Sequence, residues 1–220
     1  MSFTLLSVEG NIGAGKSTFL SVLRKALEAC GINVIILPEP VHQWEEMRDE
    51  ADGKSIIAKF YADPRNYSFP FQMVAYITRI SAIRKAVREN PGAVIICERC
   101  LDADRNVFAT MLRDDGKMDP FLYNIYCRWF NEFDSDWRSG RQVRVYLRAR
   151  PETCLRRVHK RQREGETVDL AYLEKCHSYH EAWLMCESNV GVKVFDADVD
   201  RRSDADYEGW VSEVVGLIST

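Results

Sequence analysis

Gly10-Asn11-Ile12-Gly13-Ala14-Gly15-Lys16-Ser17 follows an apolar run, Phe3 to Val8, and opens a stretch of helical period beginning near Lys16. It satisfies G-x-x-x-x-G-K-[ST] without a mismatch, and Thr18 continues it. The three glycines let the backbone curl around an anion, so that successive N–H groups and a helix N-terminus point at phosphate. Lys16 then holds the terminal phosphates, and Ser17 offers the hydroxyl that such loops place on Mg²⁺. The stretch therefore predicts a strand, loop and helix that bind a nucleoside triphosphate. It does not say which reaction follows.

Outward from this loop, short Val- and Ile-rich runs alternate with longer stretches of helical period, the pattern of a parallel sheet wrapped by helices. Expected strands are Phe3–Val8, Asn33–Leu37, Ala93–Cys97, Val143–Leu147 and Val192–Phe195. Expected helices are Ser17–Cys30, Phe69–Glu89, Asp119–Trp137, Pro151–Arg163, Leu170–Glu187 and Asp204–Ile218, with short helices and loops between Val41 and Asn66. The fold class is α/β, a P-loop NTPase-type five-stranded parallel sheet flanked by helices. One domain over residues 1–220 is expected, since no linker, repeat or low-complexity tract divides the chain.

Composition narrows the partners. A formal net charge of −3 over 220 residues argues against a nucleic-acid binder, and no apolar run reaches the length of a membrane span. Seven irregularly spaced cysteines suit a reducing compartment rather than a disulfide framework. The first strand begins almost at Met1, leaving no room for a leader, so a cytoplasmic protein is expected.

A parallel sheet delivers all its C-terminal strand ends to one edge, where ligands bind. That brings the glycine loop together with Glu39, after the second strand, and with Glu98-Arg99, after the third. Glu39 is placed to accept a proton from an attacking hydroxyl, Glu98 to sit near Mg²⁺, and Arg99 near the moving phosphoryl group. The basic run Arg156, Arg157, Lys160, Arg161 and Arg163 reads as a lid over triphosphate, spanning about residues 157–168. On the helix after Pro64, Gln72, Ala75, Tyr76 and Arg79 share a face. Gln72 beside Phe71 and Phe108 suits the edge of a base, and Asp104 is placed either to pair with Arg79 or to cap the following helix.

These motifs, with Glu39-Pro40-Val41 followed by Trp44, Asp104-Arg105, and Tyr172-Leu173-Glu174 to Trp183, resemble the deoxynucleoside kinase family, specifically its deoxycytidine/deoxyguanosine kinase branch. The likeness runs from about Leu5 to Asp198. It implies transfer of the γ-phosphoryl of ATP or another nucleoside triphosphate, with Mg²⁺, to the 5′-hydroxyl of a deoxynucleoside. Glu39 matches the general base and Arg99 the arginine beside it. Gln72 matches the base reader, with Phe71 and Phe108 enclosing the base. Tyr61 and Glu166 match the pair on the sugar 3′-hydroxyl, and Val41, Trp44 and Ile57 match pocket-lining positions. Arg157, Arg161 and Arg163 match the lid, and Asp198 falls on the nucleotide side. The Arg79–Asp104 pair implies preference for deoxycytidine and purine deoxynucleosides over thymidine, and the region of the Phe121–Trp137 helix implies a homodimer. Cys100 stands where many members have Ser, and the segment between Glu166 and Leu170 is slightly short.

Rival readings are a GTPase-like switch, which lacks its Asn-Lys-x-Asp segment here, a monophosphate kinase, and a broad-specificity kinase that accepts thymidine. Cys97-x-x-Cys100 and Cys176-His177 with His180 mimic metal sets, but Cys97 is more simply read as core, and a single helix cannot supply four tetrahedral ligands.

Overall fold

The computed structural model describes residues 3–161, 168–186, 191–201 and 203–219. Strands β1 (Thr4–Glu9), β2 (Val34–Leu37), β3 (Val94–Glu98), β4 (Arg141–Arg148) and β5 (Val192–Asp196) form one sheet of order β2-β3-β1-β4-β5. Every neighbouring pair is parallel, which is why each strand is joined to the next in sequence by a helical crossover. β1 lies at the centre, with Val8 opposite Glu98 of β3 and Glu9 opposite Tyr146 of β4.

Alternation along β1 divides the apolar residues between two cores. Leu6 and Val8 pack with Phe19, Leu23 and Leu27 of α1 (Lys16–Ala29), and with Cys154 and Val158 of α9 (Pro151–Arg161). Leu5 packs on the other face with Tyr76 and Ile80 of α4 (Pro64–Glu89), and with Tyr126 and Phe130 of α7 (Pro120–Glu132).

Several elements depart from the sequence expectation for identifiable reasons. α4 starts at Pro64 rather than Phe69, because Asp63 caps the Asn66 N–H and Pro64 suits the first helical position; Pro70 is then carried inside the helix. Residues 101–114, which carry no long apolar period, are helical throughout: α5 (Leu101–Ala103), a π-helical segment (Asp104–Ala109) and α6 (Thr110–Asp114). The expected 119–137 helix breaks at Phe133 into α7 and α8 (Asp134–Arg138). The mixed stretch before α4 holds α2 (Val41–Glu46) and α3 (Ile56–Ala62). α10 (Leu170–Leu184) follows, and a 3₁₀ turn (Asp204–Tyr207) leads into α11 (Glu208–Ser219). The expected ends of the 151–163 and 170–187 helices fall outside the described residues. No helix among the described residues is long and apolar enough to cross a membrane.

Candidate active site

The glycine loop takes the backbone shape its residues allow. Gly10, Gly13 and Gly15 have φ of 146°, 81° and 97°. A Cβ at Gly13 would lie 2.5 Å from the Cys154 carbonyl oxygen, and one at Gly10 2.7 Å from that of Leu147, so close approach adds to the backbone requirement. Asn11 ties the loop to α10, donating from Nδ2 to the Leu173 carbonyl at 2.9 Å while its Oδ1 accepts the Ile12 N–H. Its side chain thus shapes the loop from behind instead of facing a ligand.

Lys16 donates to the Asn11 carbonyl at 2.9 Å and stands 3.8 Å from Glu98. Burial first, then the neighbouring Arg99 charge, lowers its pKa to about 8. The Ser17 hydroxyl donates to Glu98 Oε2 at 2.9 Å, so the two residues expected near a metal are adjacent although far apart in sequence.

Two cavities meet at this loop. The larger, a cleft of about 830 Å³, runs along Gly13 to Thr18 between the basic face of α9 and residues 197–201 after β5. Arg156, Arg157, Lys160 and Arg161 line one wall, and Tyr207 and Trp210 also border the cleft. Arg157 is braced across the cleft, donating to the Ala197 carbonyl at 2.9 Å and to Asp200 Oδ1 at 2.8 Å. Asp198 departs from its expected place: it accepts from the Arg150 backbone N–H at 2.7 Å and from Arg150 Nε at 2.8 Å. The start of α9 needs an acceptor for its open N–H groups, and Asp198 supplies it, while Val199 and Asp200 line the cleft. Arg163 and Glu166 lie outside the described residues.

The second cavity opens on the other side of Lys16, and Arg161 borders both. It is lined by Glu39, Val41, Trp44, Ile57, Tyr61, Phe71, Gln72, Ala75, Arg79, Arg99, Asp104 and Phe108, as expected, and also by Ile12, Phe60 and Tyr172. The walls are held from behind: Phe60 stacks on Phe71 at 4.7 Å, and Trp44 Nε1 donates to Thr78 Oγ1 at 3.1 Å. Gln72 is 3% exposed, and its Oε1 has no hydrogen-bond partner among the described residues. An amide oxygen buried at that cost is suited to a ligand's donor.

Glu39 Oε1 accepts from Arg99 at 2.6 Å and from Arg79 at 2.9 Å. Burial pushes the carboxyl up, but Arg99, Arg79 and Lys16 together outweigh it and hold the pKa at about 2. The same Arg79 guanidinium donates to the Glu98 carbonyl at 2.8 Å, and its Nε lies 3.1 Å from Asp104 Oδ2, a close ionic contact off the hydrogen-bond line. Asp104 thus pairs with Arg79 and caps no helix; burial holds its pKa up at about 6 against the pull of that arginine. The π-helical turn that begins at Asp104 also presents Phe108, whose ring lies 5.1 Å from the Arg99 guanidinium. Arg99 is the one non-glycine residue at positive φ among those described, at 62°, a conformation that costs about 1–3 kcal/mol.

The apparent metal sets are structural. Cys97 Sγ lies 3.6 Å from the Leu6 carbonyl, and His180 stacks on Tyr146 with Nδ1 2.6 Å from the Cys176 carbonyl. Among the described residues no cluster of three His, Cys, Asp or Glu could hold a metal ion.

A carboxylate held ionised, two arginines and a lysine thus stand where an anion-binding loop meets an aromatic pocket with an amide wall. Comparison with known proteins agrees with that geometry. A family profile described as deoxynucleoside kinase matches residues 6–219. The chain is 36% identical to a probable deoxycytidine kinase of Fowlpox virus, covering 97% of this chain and 88% of that protein. It is 31% identical to human deoxycytidine kinase, over 98% and 91%. It is 32% identical to human mitochondrial thymidine kinase 2, over 83% and 64%. The chain belongs to the deoxynucleoside kinase family and is a nucleoside kinase that takes its phosphoryl group from ATP.

Proposed function

We propose that a single domain over residues 1–220 phosphorylates the 5′-hydroxyl of deoxycytidine, deoxyadenosine and deoxyguanosine in nucleotide salvage, and discriminates against thymidine. The observation that carries this is Gln72 Oε1, buried without a partner among the described residues in the wall of a pocket that Arg79 and Asp104 also line. Its amide accepts from the exocyclic amine of cytosine or adenine while donating to the adjacent ring nitrogen, and a flipped amide serves guanine. The Arg79–Asp104 pair leaves a thymine methyl without a matching surface. The many relatives named as deoxycytidine kinases support the same preference.

In this reading the donor triphosphate lies along the glycine loop, with Lys16 and the α9 arginines Arg157 and Arg161 on its phosphates. Glu39 accepts the 5′-hydroxyl proton, and Arg99, bonded to Glu39, faces the transferred group. Tyr61 holds the sugar edge, while Phe71, Phe108, Trp44, Val41 and Ile57 enclose the base and ribose. Ser17 and Glu98, a hydroxyl and a carboxylate 2.9 Å apart, are hard oxygen donors that fit Mg²⁺. When bound, the ion neutralises phosphate charge.

We also propose a homodimer, supported by Ile77 at 52%, Phe121 at 70% and Trp129 at 47% exposure on α4 and α7, two helices that pack together. A cytosolic setting is supported by seven cysteines that form no disulfide.

The test is kcat/KM for the four deoxynucleosides with labelled ATP and with UTP. Thymidine at least about 10²-fold below deoxycytidine is expected. Equal use of thymidine would overturn the specificity. Light scattering on wild type and on F121E/W129E tests the dimer, which the double substitution is expected to dissociate.

A further inference from the structure

Glu9 ends β1, immediately before the glycine loop, and is fully buried. A glutamate at the centre of a parallel sheet is unfavourable, and here one carboxylate oxygen, Oε2, has no hydrogen-bond partner among the described residues. The other oxygen accepts the backbone N–H of Cys100 at 2.9 Å, across 91 positions of sequence. The preceding N–H, that of Arg99, donates to the Val8 carbonyl at 3.1 Å. The chain leaving β3 is thus fastened to β1 on both sides of Arg99. Between those two fastenings lies the left-handed backbone of Arg99, which a side chain this large adopts only where its surroundings over-determine it.

That backbone aims the side chain. With φ at 62° the chain turns sharply out of the sheet and the guanidinium reaches Glu39 at 2.6 Å, with its other nitrogen 3.4 Å from the Gly10 carbonyl. Relaxation of Arg99 to an extended backbone would swing the guanidinium off Glu39.

We propose that Glu9 is a positioning residue for phosphoryl transfer: by accepting the Cys100 N–H it fixes the strained turn at Arg99 and so sets where the Arg99 guanidinium and the Glu39 carboxylate meet. The role lies in the oxygen acceptor at full side-chain length, not in the charge. It rests on the reading of Arg99 and Glu39 as the groups at the reacting hydroxyl.

The substitutions that separate these roles are E9Q, which keeps an amide oxygen in place of Oε1, and E9D, which keeps the charge but withdraws the acceptor from Cys100. E9L removes both. Steady-state kinetics with deoxycytidine and ATP, normalised to active sites titrated by tight nucleotide binding, should give E9Q within about threefold of wild-type kcat. E9D and E9L should fall about 10- to 100-fold in kcat, with nucleoside KM changed less than about threefold, as expected for a misplaced group near the reaction. The cycle with R99A decides the route: on that background E9D should cost nothing further. Additive losses, or a wild-type kcat in E9D, would overturn the proposal. Were E9L to fail to fold, the E9Q and E9D pair still decides, since E9D active with E9Q impaired would assign the role to charge. A wild-type kcat in R99A would instead refute the reading of Arg99 on which the proposal stands, a result distinct from the others.

Discussion

Replacing Glu39 by Gln keeps the side chain's shape and removes its charge and its proton affinity. In the wild type that carboxylate is pulled down to about 2 by Arg99 and Arg79 against the effect of burial, so it is ionised throughout the working range. A general base of this kind contributes about 10²–10⁴ in rate, or about 3–5 kcal/mol of barrier, and the amide retains none of the basicity. Nucleoside binding loses one charge-assisted bond to a hydroxyl but keeps the Gln72 wall and the aromatic walls, so KM should rise only about 2- to 10-fold. The assay is initial-rate phosphorylation of deoxycytidine at saturating ATP from pH 4.5 to 9, with a thermal scan to show that E39Q is folded. Because the folded pKa lies below the unfolded value of about 4.5, the group's contribution to stability is present above that value and lost as pH falls toward 2. Wild-type kcat should therefore show no acidic limb from Glu39 above about pH 4. An E39Q enzyme with kcat within threefold of wild type would refute the assignment, whatever its KM.

Other perturbations test separate parts of the structure. Lys16 sits near pKa 8, and phosphate binds its charged form, so the Kd for a non-hydrolysable ATP analogue should be flat below pH 8 and rise about tenfold per unit above it; a constant Kd to pH 9.5 would contradict this. R79M/D104A should move the thymidine-to-deoxycytidine ratio of kcat/KM upward by at least about tenfold while absolute kcat falls, because Arg79 also holds Glu39; unchanged selectivity would remove the pair from base choice. F130A, in the fully buried aromatic cluster with Tyr126 and Trp137, should cost about 3–5 kcal/mol and lower Tm by roughly 6–20 °C; a drop under 2 °C would mean the core there is not closed.

The strand-end logic made Glu39, Glu98 and Arg99 legible, because a parallel sheet with a glycine loop on one strand leaves little freedom over where its other C-terminal ends arrive. The periodicity of α4 likewise put Gln72, Ala75 and Arg79 on one face, although Tyr76 of the same group turns to α7, where its ring packs on Phe130 at 5.5 Å. What stayed hidden needed contacts between segments. A π-helical turn is set by one extra residue per turn and has no apolar signature, so spacing left open whether Asp104 turns to Arg79 or caps a helix. Asp198 and Asp200 are chemically equal in sequence; the open N–H at the start of α9 decides which of them is withdrawn from the cleft. Glu9 looks like any polar residue ending a strand until its partner just past the end of β3 is seen.

On the proposed reading, Arg79 ties selectivity to catalysis. A single planar guanidinium reaches Glu39, the proposed proton acceptor, the backbone of Glu98, and Asp104 in the wall of the pocket proposed for the base. Lysine could not make three such contacts in fixed directions. Around it, Lys16 and Arg99 with Arg79 face Glu39, Glu98 and Asp104, so each of these largely buried charges has an opposite neighbour before any phosphate arrives. Buried charges persist only when matched in this way. A triphosphate on the loop then adds negative charge to a site whose own carboxylates already occupy Arg79 and Arg99. In the proposed reading the compensating positive charge comes from Lys16, Mg²⁺ and the α9 arginines. On that reading the pocket around Gln72 and the Glu39 carboxylate keep their geometry while the phosphate side accommodates the change.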